Sequence, residues 1–122
     1  MDIAGIILRT QDVDRLTEFW GTRVGLELTS TMPGYSFLKA DNDVTLTIVS
    51  VDRPIEDDSW SEMVIWSRDV RSDYTAMADR GVPFESPLGA PIMSRDGRDM
   101  VAAHFQDPDG HYGRLSGWVD SE

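Results

Sequence analysis

Histidine and cysteine, two of the side chains that transfer protons in enzymes, are scarce in this sequence. The chain has two histidines and no cysteine. His104 lies in a stretch rich in Val and Ala, residues 100–106, which predicts a strand. Strand alternation then places His104 on the face opposite to Phe105. Such a histidine is either a general acid or base, or a hydrogen-bonded wall residue, and the second interpretation is the more common one.

Other familiar catalytic motifs are missing from the sequence. It contains no Gly-x-Gly-x-x-Gly, no P-loop and no nucleophile elbow. The lack of cysteine excludes disulfides and thiolate metal sites. Asp107 and Asp109 carry oxygen atoms that could bind calcium, but their spacing lacks the alternating ligands of a calcium loop. The Asp-Pro-Asp-Gly segment instead predicts a turn, because Pro108 fixes φ and Gly110 tolerates a positive φ.

Composition limits the classes of protein that the chain can represent. Its 122 residues and 40% apolar content suit one globular domain, 1–122. A net charge of −11 argues against a nucleic-acid partner, since phosphate binding needs clustered Lys and Arg. No run approaches the roughly 20 apolar residues of a membrane helix. No signal segment is recognisable at the start, so we expect a cytoplasmic protein without a membrane partner.

The first half of the chain predicts strands around one helix. Residues 3–10 form an apolar run that is typical of a strand covered on both faces. Asp12 is a candidate N-cap, helical spacing continues to about Arg23, and Gly25 ends the helix. Three further strands are predicted, at 26–30, 35–39 and 44–51.

The same pattern restarts after a polar linker, 52–59. Residues 64–70 mirror residues 7–13 at an offset of 57, and Asp-Val recurs at the same place in both. The remaining predicted elements are a helix at 71–80, a short strand at 82–85, a Gly- and Pro-rich loop at 86–99, and a hairpin of two strands at 100–106 and 111–116. The chain therefore predicts an α+β fold of two β-α-β-β-β units, about 3–51 and 60–116. The loop at 86–99 is either a lid or a surface excursion.

The last hairpin also resembles that of a known superfamily. Phe105-x-Asp-Pro-Asp-Gly followed by Leu115 is similar to the closing hairpin of vicinal oxygen chelate proteins, which include glyoxalases, bleomycin-resistance proteins and extradiol dioxygenases. With the duplicated strand–Asp–helix pattern, the resemblance extends from Ile3 to Leu115. It implies that the two units form a curved, half-open mixed sheet around a cavity, with the helices outside. It also implies a homodimer.

The resemblance further implies where a metal would be held. Metal-using relatives carry a histidine seven residues before the helix-starting Asp of each unit, and a glutamate before the final Leu. Here those positions hold Gly5, Glu62 and Arg114. Glycine has no ligand atom and arginine is a permanent cation, whereas such sites normally have three or more protein ligands. We therefore predict no metal and no other cofactor.

Alternation along the strands selects the residues that would line the implied cavity. Trp66 and Tyr112 offer rigid rings for stacking a flat ligand, and this role is favoured over filling a core because no helix is predicted to cover their face. Arg114 could pair with a carboxylate, a phenolate or a polarised carbonyl. The predicted ligand-binding residues are Arg9, Phe37, Trp66, Tyr112 and Arg114, with Tyr35 and Trp60 as further candidates.

Two functions from different classes follow from this set. The first is a metal-free binding protein of the bleomycin-resistance type, which would sequester an aromatic or anionic small molecule and so confer antibiotic resistance. The second is a glyoxalase- or dioxygenase-like lyase or isomerase. In that enzyme Glu62 or His104 would transfer protons and Arg114 would stabilise negative charge. The sequence favours binding, and it leaves open whether the chain is an enzyme.

Overall fold

The structure, a computed structural model, describes residues 3–54 and 61–121. Most of the predicted linker, 55–59, and the candidate Trp60 lie outside the described residues. The strands are β1 Gly5–Thr10, β2 Glu27–Met32, β3 Tyr35–Lys39, β4 Thr45–Ser50, β5 Glu62–Trp66, β6 Met93–Arg95, β7 Arg98–Gln106 and β8 Tyr112–Asp120. The helices are α1 Val13–Glu18, which continues as a π-helical segment Phe19–Val24, and α2 Val70–Asp79.

The strands form two four-stranded mixed sheets, in the orders β1-β4-β3-β2 and β5-β8-β7-β6. In each sheet one pair is parallel, β1 with β4 and β5 with β8, and the other pairs are antiparallel. The chain divides into two compact units. One contains the described residues 3–54 and 107–109, and the other contains 61–106 and 110–121. The α+β class with a repeated unit is thus confirmed.

The repeat extends to the hydrogen bonds that start each helix. Asp12 Oδ1 accepts from the Arg15 amide over 3.1 Å, and Asp69 Oδ1 accepts from the Ser72 amide over 3.2 Å. A hydroxyl two residues earlier accepts from each capping residue's own amide, and this hydroxyl belongs to Thr10 or to Ser67. Each pair therefore satisfies amides that a helix start leaves without intrahelical partners.

In the first unit, α1 packs on β3 and β4. Leu16 and the aromatic pair Phe19 and Trp20 are buried there with Leu38 and Ile48. The helical segment ends at Gly25, whose φ of 107° is left-handed, as the sequence predicts. The buried indole of Trp20 donates from Nε1 to Asp107 Oδ2 over 2.9 Å, so its polar atom is satisfied.

In the second unit, α2 packs on β8. Its buried residues Val70 and Met77 lie among buried side chains of β7 and β8. The far end of the Phe105 ring lies against Gly113, where an added Cβ would overlap Cζ, Cε1 and Cε2 of the ring. The glycine thus makes room for the largest buried ring of this unit. The other buried apolar residues of the two strands are Val101, Ala102, Ala103 and Leu115.

Three sequence predictions about the strands are wrong. The apolar β1 is not covered on both faces, because Ile7 is 55% exposed and Ile6 is 41% exposed. The predicted loop 86–99 contains β6, which joins β7 through a turn at Asp96 and Gly97, both with positive φ. The short strand predicted at 82–85 reduces to a single bridge between Phe84 and Phe105.

The last strand also continues beyond its predicted end. The sequence ends it at Ser116, whereas β8 extends to Asp120 and pairs with β7 along its whole length. No helix in the described parts of the chain is long and apolar enough to cross a membrane.

The duplicated caps lead to a stability test. We expect Asp12→Ala and Asp69→Ala each to lower the free energy of unfolding by about 1 kcal/mol, because each leaves a helix amide without its acceptor. Urea denaturation followed by circular dichroism measures this loss. Asp12→Asn and Asp69→Asn keep an acceptor oxygen and should retain most of the stability. Equal losses in the Asn and Ala variants would contradict the capping role.

Candidate functional site

Four of the predicted site residues lie on one face of the second sheet. His104 of β7 lies opposite Arg114 of β8 in the register, and Tyr112 lies opposite Glu62 of β5. Residues paired across strands point to the same side of a sheet. The buried Phe105 and Leu115 point to the α2 side, so these four side chains point to the other. We call this surface, formed by Glu62, Trp66, His104, Tyr112, Arg114 and Trp118, the site face.

Glu62 is the centre of a hydrogen-bonded cluster on the site face. Its Oε1 lies 2.6 Å from His104 Nδ1, and its Oε2 lies 3.3 Å from Arg114 Nη2. The side chains of Glu62, His104 and Arg114 are 28%, 41% and 31% exposed, so a ligand can reach all three. An ionised carboxylate only accepts hydrogen bonds, so the geometry places the histidine proton on Nδ1.

This arrangement determines the chemistry that the cluster can perform. With its proton on Nδ1, neutral His104 offers Nε2 as a proton acceptor. Arg114 pairs with the second oxygen of Glu62. The Arg114 Nε atom is buried and has no hydrogen-bond partner among the described residues. The cluster therefore pairs a potential base with a fixed positive charge.

An aromatic group lies further along β8 on the same face. The rings of Trp66 and Trp118 meet edge to face, with centroids 6.3 Å apart and an interplanar angle of 69°. Trp66 is 51% exposed, so it does not merely fill a core. The guanidinium carbon of Arg95 lies 6.0 Å from the Trp118 ring centroid.

Sequence reasoning missed both Trp118 and Arg95. The predicted last strand ends at Ser116 and so excludes Trp118. Arg95 lies in the segment 86–99, which the sequence predicts to be a loop. The signal for Trp118 is the alternation that continues through Tyr112, Arg114 and Ser116 to position 118. Arg95 carries no comparable signal, since its placement depends on a three-residue strand.

The two remaining predicted residues, Arg9 and Phe37, lie in the first unit. The register puts both on the face of the first sheet opposite α1, through their partners Val49 and Thr47 on β4. Arg9 is exposed, and the Phe37 ring stacks parallel to that of Tyr35 with centroids 6.3 Å apart. The structure thus groups Glu62, Trp66, His104, Tyr112 and Arg114 in one unit and leaves Arg9 and Phe37 in the other.

The positions of a family-type metal site hold residues that do not fit a divalent ion. A Cβ added at Gly5 would overlap the carbonyl oxygen of Thr45 on β4, so no side chain is accommodated there. Both carboxylate oxygens of Glu62 have partners, and Arg114 adds a positive charge. Within 3–54 and 61–121, no three His, Cys, Asp or Glu side chains are grouped as metal ligands.

Comparison with known proteins agrees with this fold. The glyoxalase/bleomycin resistance protein/dioxygenase superfamily matches residues 2–113. The chain belongs to this superfamily, which confirms the resemblance of its repeat and last hairpin. No curated protein matches the sequence.

Solved structures share the fold at low sequence identity. A glyoxalase/bleomycin resistance protein/dioxygenase from Alicyclobacillus acidocaldarius has a TM-score of 0.76 and 20% identity, over 98% of this chain and 92% of that one. Another with this description, from Nocardioides, has a TM-score of 0.75 and 21% identity, over 100% of this chain and 86% of that one. At these identities the two structures establish the fold alone.

The close approach at Gly5 can be tested directly. We expect Gly5→Ala to lower the free energy of unfolding by about 1–3 kcal/mol, because the methyl group forces β1 away from β4. Gly89→Ala is the matched control, since the nearest atom to its added Cβ lies at 3.8 Å. Denaturant midpoints compare the two variants. Equal stability of both variants would show that position 5 tolerates a side chain.

Proposed function

We propose that this chain binds a planar aromatic or anionic small molecule on the site face, without a metal ion, in the manner of the bleomycin-resistance branch of its superfamily. The observation that supports this most is that the half-exposed Trp66 shares one face of the sheet with the Glu62–His104–Arg114 cluster. An apolar ring next to a few polar groups is the usual composition of a small-molecule site.

The exposed indole supplies an estimate of the binding energy. A tryptophan buries on the order of 200 Å² when fully covered, so covering the exposed half of Trp66 removes about 100 Å² from water. At about 25 cal/mol per Å² this gives about 2.5 kcal/mol. Stacking on this one ring therefore accounts for a factor of roughly 70 in affinity.

This binding role predicts the effect of removing the ring. Trp66→Ala should weaken binding of 2-naphthoate at least tenfold, whereas Trp66→Phe should keep most of the affinity because it retains a flat ring. Isothermal titration calorimetry measures both, with chelator present and absent. Chelator should have no effect if the site uses no metal. Unchanged affinity in Trp66→Ala would refute a role for this ring.

A second candidate is a lyase or isomerase, and one contact favours it. His104 Nδ1 lies 2.6 Å from Glu62 Oε1, and a carboxylate at this position commonly orients a histidine that acts as a general base. His104 Nε2 would take a proton from a substrate carbon next to a carbonyl group. Arg114 would stabilise the negative charge that then develops on the carbonyl oxygen. Returning the proton to another carbon would complete an isomerisation.

The binding function and the enzymatic function predict different fates for a bound molecule. If the chain is an enzyme, Glu62→Gln should lower turnover at least 100-fold and leave binding nearly unchanged, because the neutral amide lacks the negative charge that would stabilise His104 while it holds the transferred proton. Mass spectrometry of a small molecule that co-purifies with the protein, before and after incubation, measures this. A molecule that stays unchanged with the unaltered chain favours binding alone.

Three further expectations belong to the same proposal: a homodimer, a cytoplasmic location and a role in antibiotic resistance. They follow from the family resemblance and the composition, and they stay predictions. Light scattering on the purified chain tests the dimer, and drug susceptibility of cells that express it tests resistance.

A further inference from the structure

The β6–β7 hairpin places a cation over the aromatic end of the site face. Its two-residue turn has positive φ at Asp96 and Gly97, 54° and 76°, which suits the twist of a tight hairpin. Arg95 and Arg98 flank this turn as register partners, so their side chains lie on the same face. The guanidinium of Arg95 therefore lies over the Trp118 ring because of the hairpin geometry.

Hydrogen bonds attach the base of this hairpin to the end of the chain. Asp99 Oδ1 accepts from the Ser94 hydroxyl over 2.6 Å and from the Ser121 hydroxyl over 2.8 Å. These two bonds lower the pKa of the Asp99 carboxyl, so it stays charged and keeps accepting them. The hairpin base is thus held, while all three residues of β6 are exposed.

The arginines on this part of the site face differ in whether they have an ion-pair partner. Arg98 Nε lies 3.7 Å from Asp120 Oδ1, and Arg114 is paired with Glu62. Arg95 has no carboxylate within salt-bridge distance among the described residues, and its nearest charged neighbour in the register is the like-charged Arg98. The Arg95 guanidinium, which lies over the Trp118 ring, is therefore not neutralised by an ion-pair partner among the described residues, so it can attract an anionic group.

The distance between the Arg95 guanidinium and the Trp118 ring is close to the space that a planar ring inserted between them would need. A planar ring held between two flat groups needs about 3.5 Å of contact distance on each side, or about 7 Å in all. The observed 6.0 Å is about 1 Å short of this. Because Arg95 is on an exposed edge strand, its side chain can move that distance while the hairpin base stays attached. Trp66 contacts Trp118 edge to face and limits movement of the indole.

We propose that Arg95 and Trp118 hold the ring of a planar aromatic anion between them, and that Arg95 determines the preference for an anion over a neutral ring. This rests on the proposed binding function and narrows its ligand to aromatic carboxylates and phenolates. Trp118 supplies a stacking surface, and the guanidinium stacks on the opposite side of the ring while it attracts the negative charge.

The test compares 2-naphthoate with naphthalene, which differ in charge and share the ring. Arg95→Gln should weaken 2-naphthoate binding about five- to tenfold and leave naphthalene binding within twofold. Arg71→Gln is the matched control, since Arg71 is an exposed residue of α2, on the opposite side of the sheet. It should change neither affinity. Trp118→Phe should weaken both ligands to a similar, smaller extent, because it keeps a flat ring. Calorimetric titrations measure all four pairs.

The results separate this inference from the function on which it rests. If the unaltered chain binds 2-naphthoate and Arg95→Gln binds it equally well, the assignment of Arg95 is wrong while the binding function stands. If Arg95→Gln weakens both ligands equally, the guanidinium does not select charge and the inference is also overturned. If the unaltered chain binds neither compound, the binding function fails and the inference fails with it.

Discussion

The pairing of β8 with β5 on one side and β7 on the other determines what the second unit can do. This central strand brings Arg114 next to both Glu62 and His104, residues that are far apart in the sequence. A shift of one residue in either pairing would send the partner side chains to the α2 side of the sheet. The buried Phe105 and Leu115 prevent such a shift, because it would expose them to water. Core packing therefore determines the register, and the register assembles the cluster.

In the second unit, the residues at the two positions that the family resemblance marks for a metal form an ion pair with each other. Where metal-using relatives place a glutamate, this chain has a guanidinium that cannot lose its charge. Its partner is the carboxylate at the neighbouring ligand position, Glu62, so the charges at these two positions are already paired. A third position, Gly5, is closed by the carbonyl oxygen of Thr45. On the site face, Glu62 thus contacts both Arg114 and His104.

The two units share a scaffold and differ in chemistry. Their helices begin with the same pair of residue types, Thr10 and Asp12 in one and Ser67 and Asp69 in the other, with matching hydrogen bonds. At the same offset of 57, Gly5 corresponds to Glu62. The positions that start the helices therefore have equivalent roles in both units. The strand position occupied by Gly5 and Glu62 carries an ionisable side chain in the second unit only.

Sequence alone was enough for features that depend on neighbours along the chain. Both N-caps, the left-handed Gly25 and the order of the repeated unit follow from local spacing and turn chemistry. Alternation also assigned His104 and Arg114 to the face opposite Phe105 and Leu115, since strand periodicity is local.

Only the tertiary structure decided which of these side chains meet. The contact between Glu62 and His104 depends on two strand pairings, and no pattern in either strand contains that register. The exposed edge of β1 and the position of Arg95 over Trp118 likewise depend on sheet order and on a short hairpin strand. An amino-acid sequence records how each strand alternates, but the free energy that aligns one strand with another comes from burying side chains of several elements together.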